Sequence, residues 1–224
     1  IVRRQTGAVV RKVEPSLDTA VYYPTLVSSQ VDATPVKIAA MVRPATPRRG
    51  ARRTLEVMRS VNRTAAENAE LRIFGCSHDE LAAYALAPDF PVHNHGILRR
   101  EQVADLLRRT HIFVDLSDYQ AFGRTGLEAM ACGCSVILPA KGGCTEYARH
   151  CHNALLVDTA EPRTCVDAIL QLVTDHGWRE QLRANGLQAA NEFSLRKAAL
   201  SEWNVFAEVL GTRHQNLKAE DCAA

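Results

Sequence analysis

Short apolar runs separated by helical patterns organise the chain between residues 36 and 210. Five runs are largely apolar, as expected of strands buried on both faces, at residues 36–42, 71–75, 111–116, 135–138 and 154–157, and a further short strand is predicted at 92–95. Apolar residues at helical spacing predict helices near residues 54–69, 79–85, 100–109, 162–173, 178–193 and 195–210. Alternating strands and helices favour an α/β fold with a parallel sheet covered by helices on both faces.

A glycine-rich turn joins the fourth and fifth predicted strands. It contains Gly123 and leads into a helix that begins near Arg124 or Thr125 and includes Gly126. Backbone N–H groups at a helix start have no internal acceptor, and the helix dipole favours negative charge there. Glycines also let a ligand approach the backbone closely. The strand, glycine turn and helix start therefore predict a phosphate-binding site.

Glu128 is a single acid on the mostly apolar face of that helix. A charged group in such surroundings needs a partner, and two neighbouring ribose hydroxyls would serve. The alternative is a polar residue that complements the helix dipole. The pattern alone leaves both interpretations open.

Four features follow predicted strands and should meet at one edge of the sheet. They are the arginine loop at 43–50, the turn at Gly96, the stretch 120–128 and the turn at 141–146. Ligands of parallel sheets bind beyond the carboxyl ends of the strands. Basic, glycine-rich and acidic loops together predict a bound diphosphate that carries a sugar or nucleoside.

Composition excludes some function classes but selects none. The 224 residues are 46% hydrophobic and 23% charged with a net charge of +2, so global charge does not argue for nucleic acid as a partner. No apolar run approaches the length that spans a bilayer. The seven cysteines are odd in number and scattered through predicted core elements, which favours free thiols in a reducing cytoplasm.

The sequence predicts no metal site. Cys132 and Cys134 are closer than the ligand spacing of structural zinc sites, and no second pair follows. His93 and His95 alternate on a predicted strand and would face the same side. A metal pair stays open there, but a third ligand is not apparent, and ordinary edge histidines are favoured.

The stretch 117–136 resembles the donor-binding half of family 4 glycosyltransferases, which have the two-Rossmann (GT-B) architecture. The family pattern is an acid, then Gly-Phe-Gly, and a second acid eight positions after the first. This chain has Gln-Ala-Phe-Gly at 120–123 and Glu-Ala-Met-Ala-Cys-Gly at 128–133. The glycines and the acid at 142–146 extend the match, which covers roughly residues 9–210. The resemblance implies a Rossmann-like domain, one half of a GT-B enzyme.

The arginine loop resembles an earlier family element that pairs with the donor diphosphate. Arg43 matches the family's arginine, and Arg49 stands where a lysine is usual. The resemblance implies that both bind the diphosphate and act in catalysis, with Arg48 as a reserve candidate. A solvated helix start is the structural alternative for this cluster, which also includes Arg52 and Arg53.

The resemblance also implies roles for the remaining site residues. The backbone amides of the Gly123 turn and helix start would cradle phosphate, and Glu128 would hold the ribose. The turn after the third strand would contact the base. The nucleotide-binding residues expected in these regions are Gly96, Ile97, Leu98, Gly123, Arg124, Thr125, Gly126 and Glu128.

Gln120 is the main departure from the family pattern. It stands at the first acid of the pair, near the donor sugar, where we expect a catalytic role. An amide can bond a sugar hydroxyl but carries no negative charge. Three explanations for the missing acid stay open. The chain belongs to a subgroup that relies on the leaving diphosphate as base, it prefers a different donor sugar, or its activity is reduced.

The implied domain organisation is that of a partial enzyme. Residues 1–35 would be the linker or end of a missing N-terminal domain, 36–211 the sugar-nucleotide domain with a C-terminal crossing helix, and 212–224 a disordered tail. Trp203 and Phe206 on that helix are assigned to core packing by default, although a missing domain would leave some apolar residues uncovered.

The resemblance implies a retaining, metal-independent glycosyltransferase without a cofactor other than its nucleotide-sugar donor. The acceptor, a glycan, would bind the missing domain. We expect a cytoplasmic location, possible peripheral membrane association of the full enzyme and no nucleic-acid partner. A double-Rossmann sugar-nucleotide epimerase and a nonenzymatic nucleotide-sugar sensor or scaffold are the alternatives.

Overall fold

The computed structural model describes residues 7, 10–24 and 34–210. The predicted tail at 212–224 and part of the predicted linker at 1–35 lie outside these residues. The described residues fall into two compact units, one of residues 19–24 and 34–191 and the other of residues 7, 10–18 and 192–210. This division differs from the predicted boundary at residue 35, because residues 19–24 belong to the larger unit and the last helix to the smaller one.

One parallel sheet of six strands forms the centre of the larger unit. The strands are β1 (Val36–Met41), β2 (Ala69–Phe74), β3 (His93–Asn94), β4 (Ile112–Val114), β5 (Ser135–Pro139) and β6 (Leu155–Val157). Their spatial order is β3-β2-β1-β4-β5-β6, and every neighbouring pair is parallel. The predicted Rossmann-like α/β fold is therefore confirmed.

Helices follow the strands as the apolar periodicity predicts. They are α1 (Ala51–Ala65), α2 (His78–Ala83), α3 (Arg100–Arg108), α4 (Arg124–Ala131), α5 (Pro162–Thr174), α6 (His176–Ala190) and α7 (Leu195–Val209), with short 3₁₀ turns at Pro47–Arg49 and Gly143–Glu146. α1 begins three residues before its predicted start, because Gly50 adopts a left-handed conformation (φ 63°) that ends the 3₁₀ turn and caps the helix.

The central strands are buried on both faces. Every residue of β4 and β5 is buried, and β1 is buried at four of its six positions. Continuous apolar sequence is what a strand with helices on both sides requires. Burial on both faces fixes the register of these strands, and the register sets where each following loop begins at the edge of the sheet.

The strand order reverses between β1 and β4. β1 pairs with β2 on one side and with β4 on the other, so the chain winds away from this point in both directions. In open parallel sheets, such a reversal of strand order marks a ligand-binding crevice at the carboxyl edge. The loop after β1 and the loop after β4 both contain sequence-predicted site residues.

The smaller unit contains α7 together with residues 7 and 10–18. Leu17 N–H donates a 2.7 Å hydrogen bond to the carbonyl oxygen of Phe193, and the Ser194 side chain caps α7 by accepting from Lys197 N–H. Trp203 is 54% exposed and Phe206 is 60% exposed. The default assignment of these two aromatic residues to the core is therefore wrong.

Within the described part of the chain, the helices are all too short or too polar to cross a membrane.

Candidate donor-binding site

The loops after β1 and β4 contact each other at the switch point. The 3₁₀ turn at Pro47–Arg49 belongs to the first loop, and Asp115 begins the second. Arg49 Nη1 lies 3.7 Å from Asp115 Oδ2, so a cation and an anion face each other across the crevice. The Asp118 N–H donates a 2.8 Å hydrogen bond to the Arg48 carbonyl oxygen. The predicted arginine loop is thus held against the stretch before the glycine turn.

Three guanidinium groups gather at this loop. Arg43 is exposed, whereas Arg48 and Arg49 are partly buried. Burial lowers the pKa of Arg49, the Asp115 carboxylate opposes that shift, and the positive charges of Arg48 and Arg43 reinforce it. Arg48 Nη1 is sealed from solvent and has no hydrogen-bond partner among the described residues. Asp115 offsets this positive charge only in part, so the loop is suited to receive an anion.

Arg53 fastens the same two loops from the side of α1. Its Nε and Nη2 atoms donate to the Leu116 carbonyl oxygen at 3.0 and 2.6 Å, and Nη2 also donates to Asp118 Oδ1 at 2.7 Å. A Cβ at Gly50 would lie 2.5 Å from Arg53 Nη2 and 2.6 Å from the Leu116 oxygen. Arg53 therefore joins α1 to the loop after β4 through hydrogen bonds, and the absence of a side chain at Gly50 leaves room for its guanidinium group.

Gln120 is buried and its amide group is engaged within the protein. Its Nε2 atom donates to Asp115 Oδ2 at 2.6 Å and to Ser117 Oγ at 2.9 Å. The Ser117 hydroxyl in turn donates to Asp115 Oδ1 at 2.5 Å. Both amide hydrogens of Gln120 therefore have acceptors within the protein, and its role towards a donor sugar stays a prediction.

Gly123 shapes the start of α4. It adopts φ 82°, a left-handed conformation that favours glycine, and its carbonyl oxygen accepts 2.6 Å from the Tyr147 hydroxyl. The same oxygen accepts from Gly126 N–H at 2.9 Å. The N–H groups of Arg124 and Thr125 have no acceptor among the residues that the structure describes. Two adjacent helix-start donors are thus available to an anion.

Gly126 has a different role from the one predicted. Its N–H is already bonded to Gly123, and a Cβ at position 126 would lie 2.5 Å from the Tyr147 hydroxyl and 2.8 Å from Leu138 Cδ2. This glycine therefore allows α4 to pack closely on β5. The predicted approach of a ligand to the Gly126 backbone does not agree with this packing.

Gly142 and Gly143 contact the backbone of the stretch that precedes Gly123. The N–H of Gly143 donates 2.7 Å to the Gln120 carbonyl oxygen, and Gly142 forms a parallel bridge with Gln120. A Cβ at Gly143 would lie 1.8 Å from the Ala121 carbonyl oxygen. Backbone contact this close excludes any side chain. The predicted turn at 141–146 thus lies directly against the stretch 120–121.

Glu128 lies among polar partners on one face of α4. Burial raises the pKa of its carboxyl group above the ordinary 4.5, while Arg124, the Tyr22 side chain and Arg100 act in the opposite direction. Tyr22 is buried itself, and burial together with the Glu128 charge raises the pKa of its phenol to about 12. The Arg100 guanidinium lies 5.5 Å from the centre of the Tyr22 ring. Glu128 is therefore a half-buried acid in the electrostatic surroundings of a tyrosine and two arginines.

The turn at Gly96 lies at the same sheet edge, after β3. The Gly96 carbonyl oxygen accepts 2.8 Å from Gly75 N–H, and its own N–H donates 2.9 Å to Asn94 Oδ1. Gly96 adopts φ 72°, and Ile97 is 74% exposed. A Cβ at Gly75 would lie 3.7 Å from Arg43 Cγ, which places the end of β2 between this turn and the arginine loop.

Three residues near the site were not selected from the sequence. The sequence-based predictions assign no role to Asp115 or Tyr147, and Tyr22 lies in the segment interpreted as a linker. A charged residue inside the apolar run 111–116 was the available signal for Asp115. Tyr147 and Tyr22 act through contacts with residues distant in sequence, for which a single sequence contains no signal.

In residues 7, 10–24 and 34–210, His, Cys, Asp and Glu side chains form no group of three or more that could hold a metal ion. Metal independence stays a prediction.

The sheet order and the glycine-capped helix at the switch point define a Rossmann-like α/β domain. The family model for group 1 glycosyl transferases matches residues 28–189, which is well over half of the chain. The chain therefore belongs to the group 1 glycosyl transferase family, as its resemblance to family 4 enzymes led us to expect.

Curated relatives share part of this sequence. A D-inositol 3-phosphate glycosyltransferase of Xylanimonas cellulosilytica is 30% identical over 119 residues, which are 53% of this chain and 28% of the relative. The corresponding Nocardioides protein is 36% identical over 87 residues, 39% of this chain and 19% of the relative. A probable sucrose-phosphate synthase of Solanum tuberosum is 31% identical over 109 residues, 47% of this chain and 10% of the relative. The matches thus span between 10% and 28% of these relatives.

Solved structures share the fold. Sucrose-phosphate synthase from Thermosynechococcus elongatus superposes with a TM-score of 0.77 at 22% identity, covering 95% of this chain and 56% of that one. Anabaena HepE in complex with UDP-glucose gives 0.66 at 17% identity, covering 88% and 56%. The C-terminal domain of a group 1 glycosyl transferase (LpcC) from Francisella tularensis gives 0.65 at 20% identity, covering 80% of this chain and all of that one.

Proposed function

We propose that this chain is the donor-binding domain of a retaining glycosyltransferase that transfers a sugar from a nucleoside diphosphate sugar to a glycan acceptor. The observation that carries the proposal is the pair of acceptor-free N–H groups of Arg124 and Thr125 at a strand-end helix start. Anions bind at such helix starts because the N–H groups and the dipole both favour negative charge. The arginine loop at the switch point supports the same interpretation.

In this proposal the diphosphate lies between the arginine loop and the start of α4. Arg43 and Arg49 pair with its oxygens through planar, bidentate guanidinium donors, with Arg48 in reserve. Arg49 is suited to this because its only close ion-pair partner in the described residues is Asp115, at 3.7 Å. The N–H groups of Arg124 and Thr125 complete the cradle.

The nucleoside would extend from the diphosphate along the strand ends. Glu128 accepts hydrogen bonds from the two ribose hydroxyls, and the turn at 96–98 contacts the base through backbone groups and the exposed Ile97 side chain. A carboxylate with free lone pairs suits two neighbouring hydroxyl donors. That the HepE structure holds UDP-glucose supports a ligand of this class.

The transfer breaks the bond between the anomeric carbon and the diphosphate oxygen and forms one to an acceptor hydroxyl on the same face. The acceptor proton passes to the leaving diphosphate, so the domain needs no side chain as base and no metal. In this proposal the acceptor binds a second domain of the full enzyme. Arginine and amide donors at the diphosphate stabilise the leaving group as charge develops on it.

The family model and the named relatives favour transfer over the epimerase and sensor alternatives. A cytoplasmic location and peripheral membrane association of the full enzyme belong to the same proposal.

Calorimetric titration of the chain tests the proposal. UDP, GDP, ADP, CDP and dTDP are each compared with a sugar conjugate, and we expect at least one pair to bind with a dissociation constant on the order of 1 mM or tighter. Arg49→Ala should weaken that binding by roughly tenfold, since it removes a charge-assisted contact. The matched control is Arg52→Ala, which removes an exposed arginine of α1 and should change the affinity less than twofold.

Absence of binding by every nucleoside diphosphate would sink the proposal. Equal losses from Arg49→Ala and Arg52→Ala would show that the diphosphate binds elsewhere.

A further inference from the structure

Asp115 is a buried carboxylate at the carboxyl edge of the sheet, directly after β4. It follows the three buried residues of β4 directly and is itself 8% exposed. A carboxylate removed from water is costly unless other groups satisfy it. Its contacts therefore show what this side chain is arranged to hold.

Both oxygens of Asp115 accept hydrogen bonds from the loop that it begins. Oδ1 accepts from the Ser117 N–H at 3.0 Å and from the Ser117 hydroxyl at 2.5 Å. Oδ2 accepts from Gln120 Nε2 at 2.6 Å and faces Arg49 Nη1 at 3.7 Å. The bonds to Ser117 alone would be an ordinary turn, but the bond to Gln120 reaches across the turn to a second side chain.

Within this network, the Oε1 atom of Gln120 has no hydrogen-bond partner among the described residues. Its two amide hydrogens go to Asp115 and Ser117, so the nitrogen has nothing more to donate. The amide oxygen Oε1 is also not one of the buried polar atoms that lack a partner, so it is accessible to solvent. An amide whose N–H groups bond a carboxylate is polarised toward its oxygen. Gln120 is thereby fixed as an acceptor.

We propose that Asp115 is a positioning residue of the donor site, which locks the Gln120 amide so that its oxygen accepts a hydrogen bond from a hydroxyl of the donor sugar. The inference rests on the proposed function, because it needs a sugar nucleotide in the strand-end site. In this arrangement the negative charge lies on Asp115, which is hydrogen-bonded to the neutral Gln120 side chain that contacts the sugar. Arg49 offsets that charge from the other side of the crevice.

The quantity that tests this is the affinity ratio between a sugar nucleotide and its nucleoside diphosphate. UDP-glucose with UDP, GDP-mannose with GDP and dTDP-glucose with dTDP are the probe pairs, and the pair that the wild-type chain binds most tightly is used. Asp115→Asn presents an amide to an amide, so Gln120 loses its fixed orientation. The ratio should fall about tenfold, while affinity for the nucleoside diphosphate changes less than about threefold.

Exchanging the carboxylate at position 115 with the amide at position 120 distinguishes a positioning role of Asp115 from a general effect on stability. Gln120→Glu alone sets two carboxylates 2.6 Å apart and should also lower the ratio. The double variant Asp115→Asn with Gln120→Glu restores a donor at 115 and an acceptor at 120, and should return the ratio to within about threefold of the wild type. Rescue of this kind is not expected if Asp115 only stabilises its turn.

Ser117→Ala provides a second test if Asp115→Asn does not fold. It frees one Gln120 hydrogen and should lower the ratio by a smaller factor, roughly threefold. A wild-type chain that binds no nucleoside diphosphate refutes the proposed function itself. A wild-type chain that binds nucleoside diphosphates but no sugar conjugate, an Asp115→Asn ratio equal to that of the wild type, or a double variant no better than its parents overturns the role of Asp115.

Discussion

The Tyr147 hydroxyl donates a 2.6 Å hydrogen bond to the carbonyl oxygen of Gly123, 24 residues earlier in the chain. Both groups are buried, and Tyr147 also packs on Phe122 with a ring distance of 5.3 Å. The bond ties the turn before α4 to the segment after β5. The helix start that we assign to phosphate is thus held by a contact from a distant residue.

Tyr147→Phe should destabilise the chain by about 1–2 kcal/mol, because it removes a buried hydrogen bond and keeps the ring. Nucleotide affinity should fall as well, since the helix start loses a support. Urea denaturation at one pH measures the change, with Tyr84→Phe, which alters an exposed tyrosine, as the control. Equal stability of Tyr147→Phe and Tyr84→Phe would contradict this account of the turn.

Gly143→Ala should cost about 3 kcal/mol or more, because its Cβ would lie 1.8 Å from a backbone oxygen that cannot move independently. Gly177→Ala is the matched control on α6, where the nearest atom lies 3.6 Å away, and it should be neutral or stabilising by about 0.5 kcal/mol. Thermal unfolding of both variants measures the contrast. A tolerated Gly143→Ala would mean that the turns at 120–121 and 142–143 do not touch.

Glu128→Gln should stabilise the chain at pH 7 and weaken nucleotide binding. Burial raises the folded-state pKa of Glu128, so the folded chain binds the proton more tightly than the unfolded chain does. Wild-type stability then falls as pH rises from the unfolded pKa through the folded one, and the variant escapes that loss. Unfolding curves between pH 4 and pH 7 should show an advantage for Glu128→Gln that disappears at the acid end.

The opposite pH trend would show that the arginines and Tyr22 outweigh burial at Glu128.

Glu128→Ala should weaken binding of the nucleoside diphosphate by about tenfold, whereas Gln120→Ala should change it little. The reason is that Glu128 is assigned to the ribose, which every nucleotide probe contains, and Gln120 to the sugar, which a nucleoside diphosphate lacks. Calorimetry with the tightest-binding nucleoside diphosphate makes the comparison. Equal or reversed losses would refute the two assignments.

The sheet could be predicted because its signal is local. The runs at 111–116 and 135–138 are apolar throughout most of their length, and burial on both faces requires that pattern. The strand-end position of the arginine loop and the glycine turn followed from the parallel arrangement. The approximate place of the site was therefore available from sequence and topology together.

The contacts inside the site were not available in the same way. Gly126 fits a ligand-approach pattern, yet Leu138 and the Tyr147 hydroxyl occupy the space beside it. Asp115 was hidden in a strand-like run, and its bond to Gln120 depends on how the turn folds back. A sequence pattern shows which residues are small or charged, whereas partners across a turn are set by tertiary packing.

A structure of the chain with its tightest-binding nucleoside diphosphate tests the central claim most directly. We predict phosphate oxygens within about 3 Å of the N–H groups of Arg124 and Thr125, with the Arg49 guanidinium on the opposite side of the diphosphate and the ribose hydroxyls on Glu128. A nucleotide bound elsewhere, with these N–H groups still without an acceptor, would contradict the assignment of this strand-end crevice as the donor site.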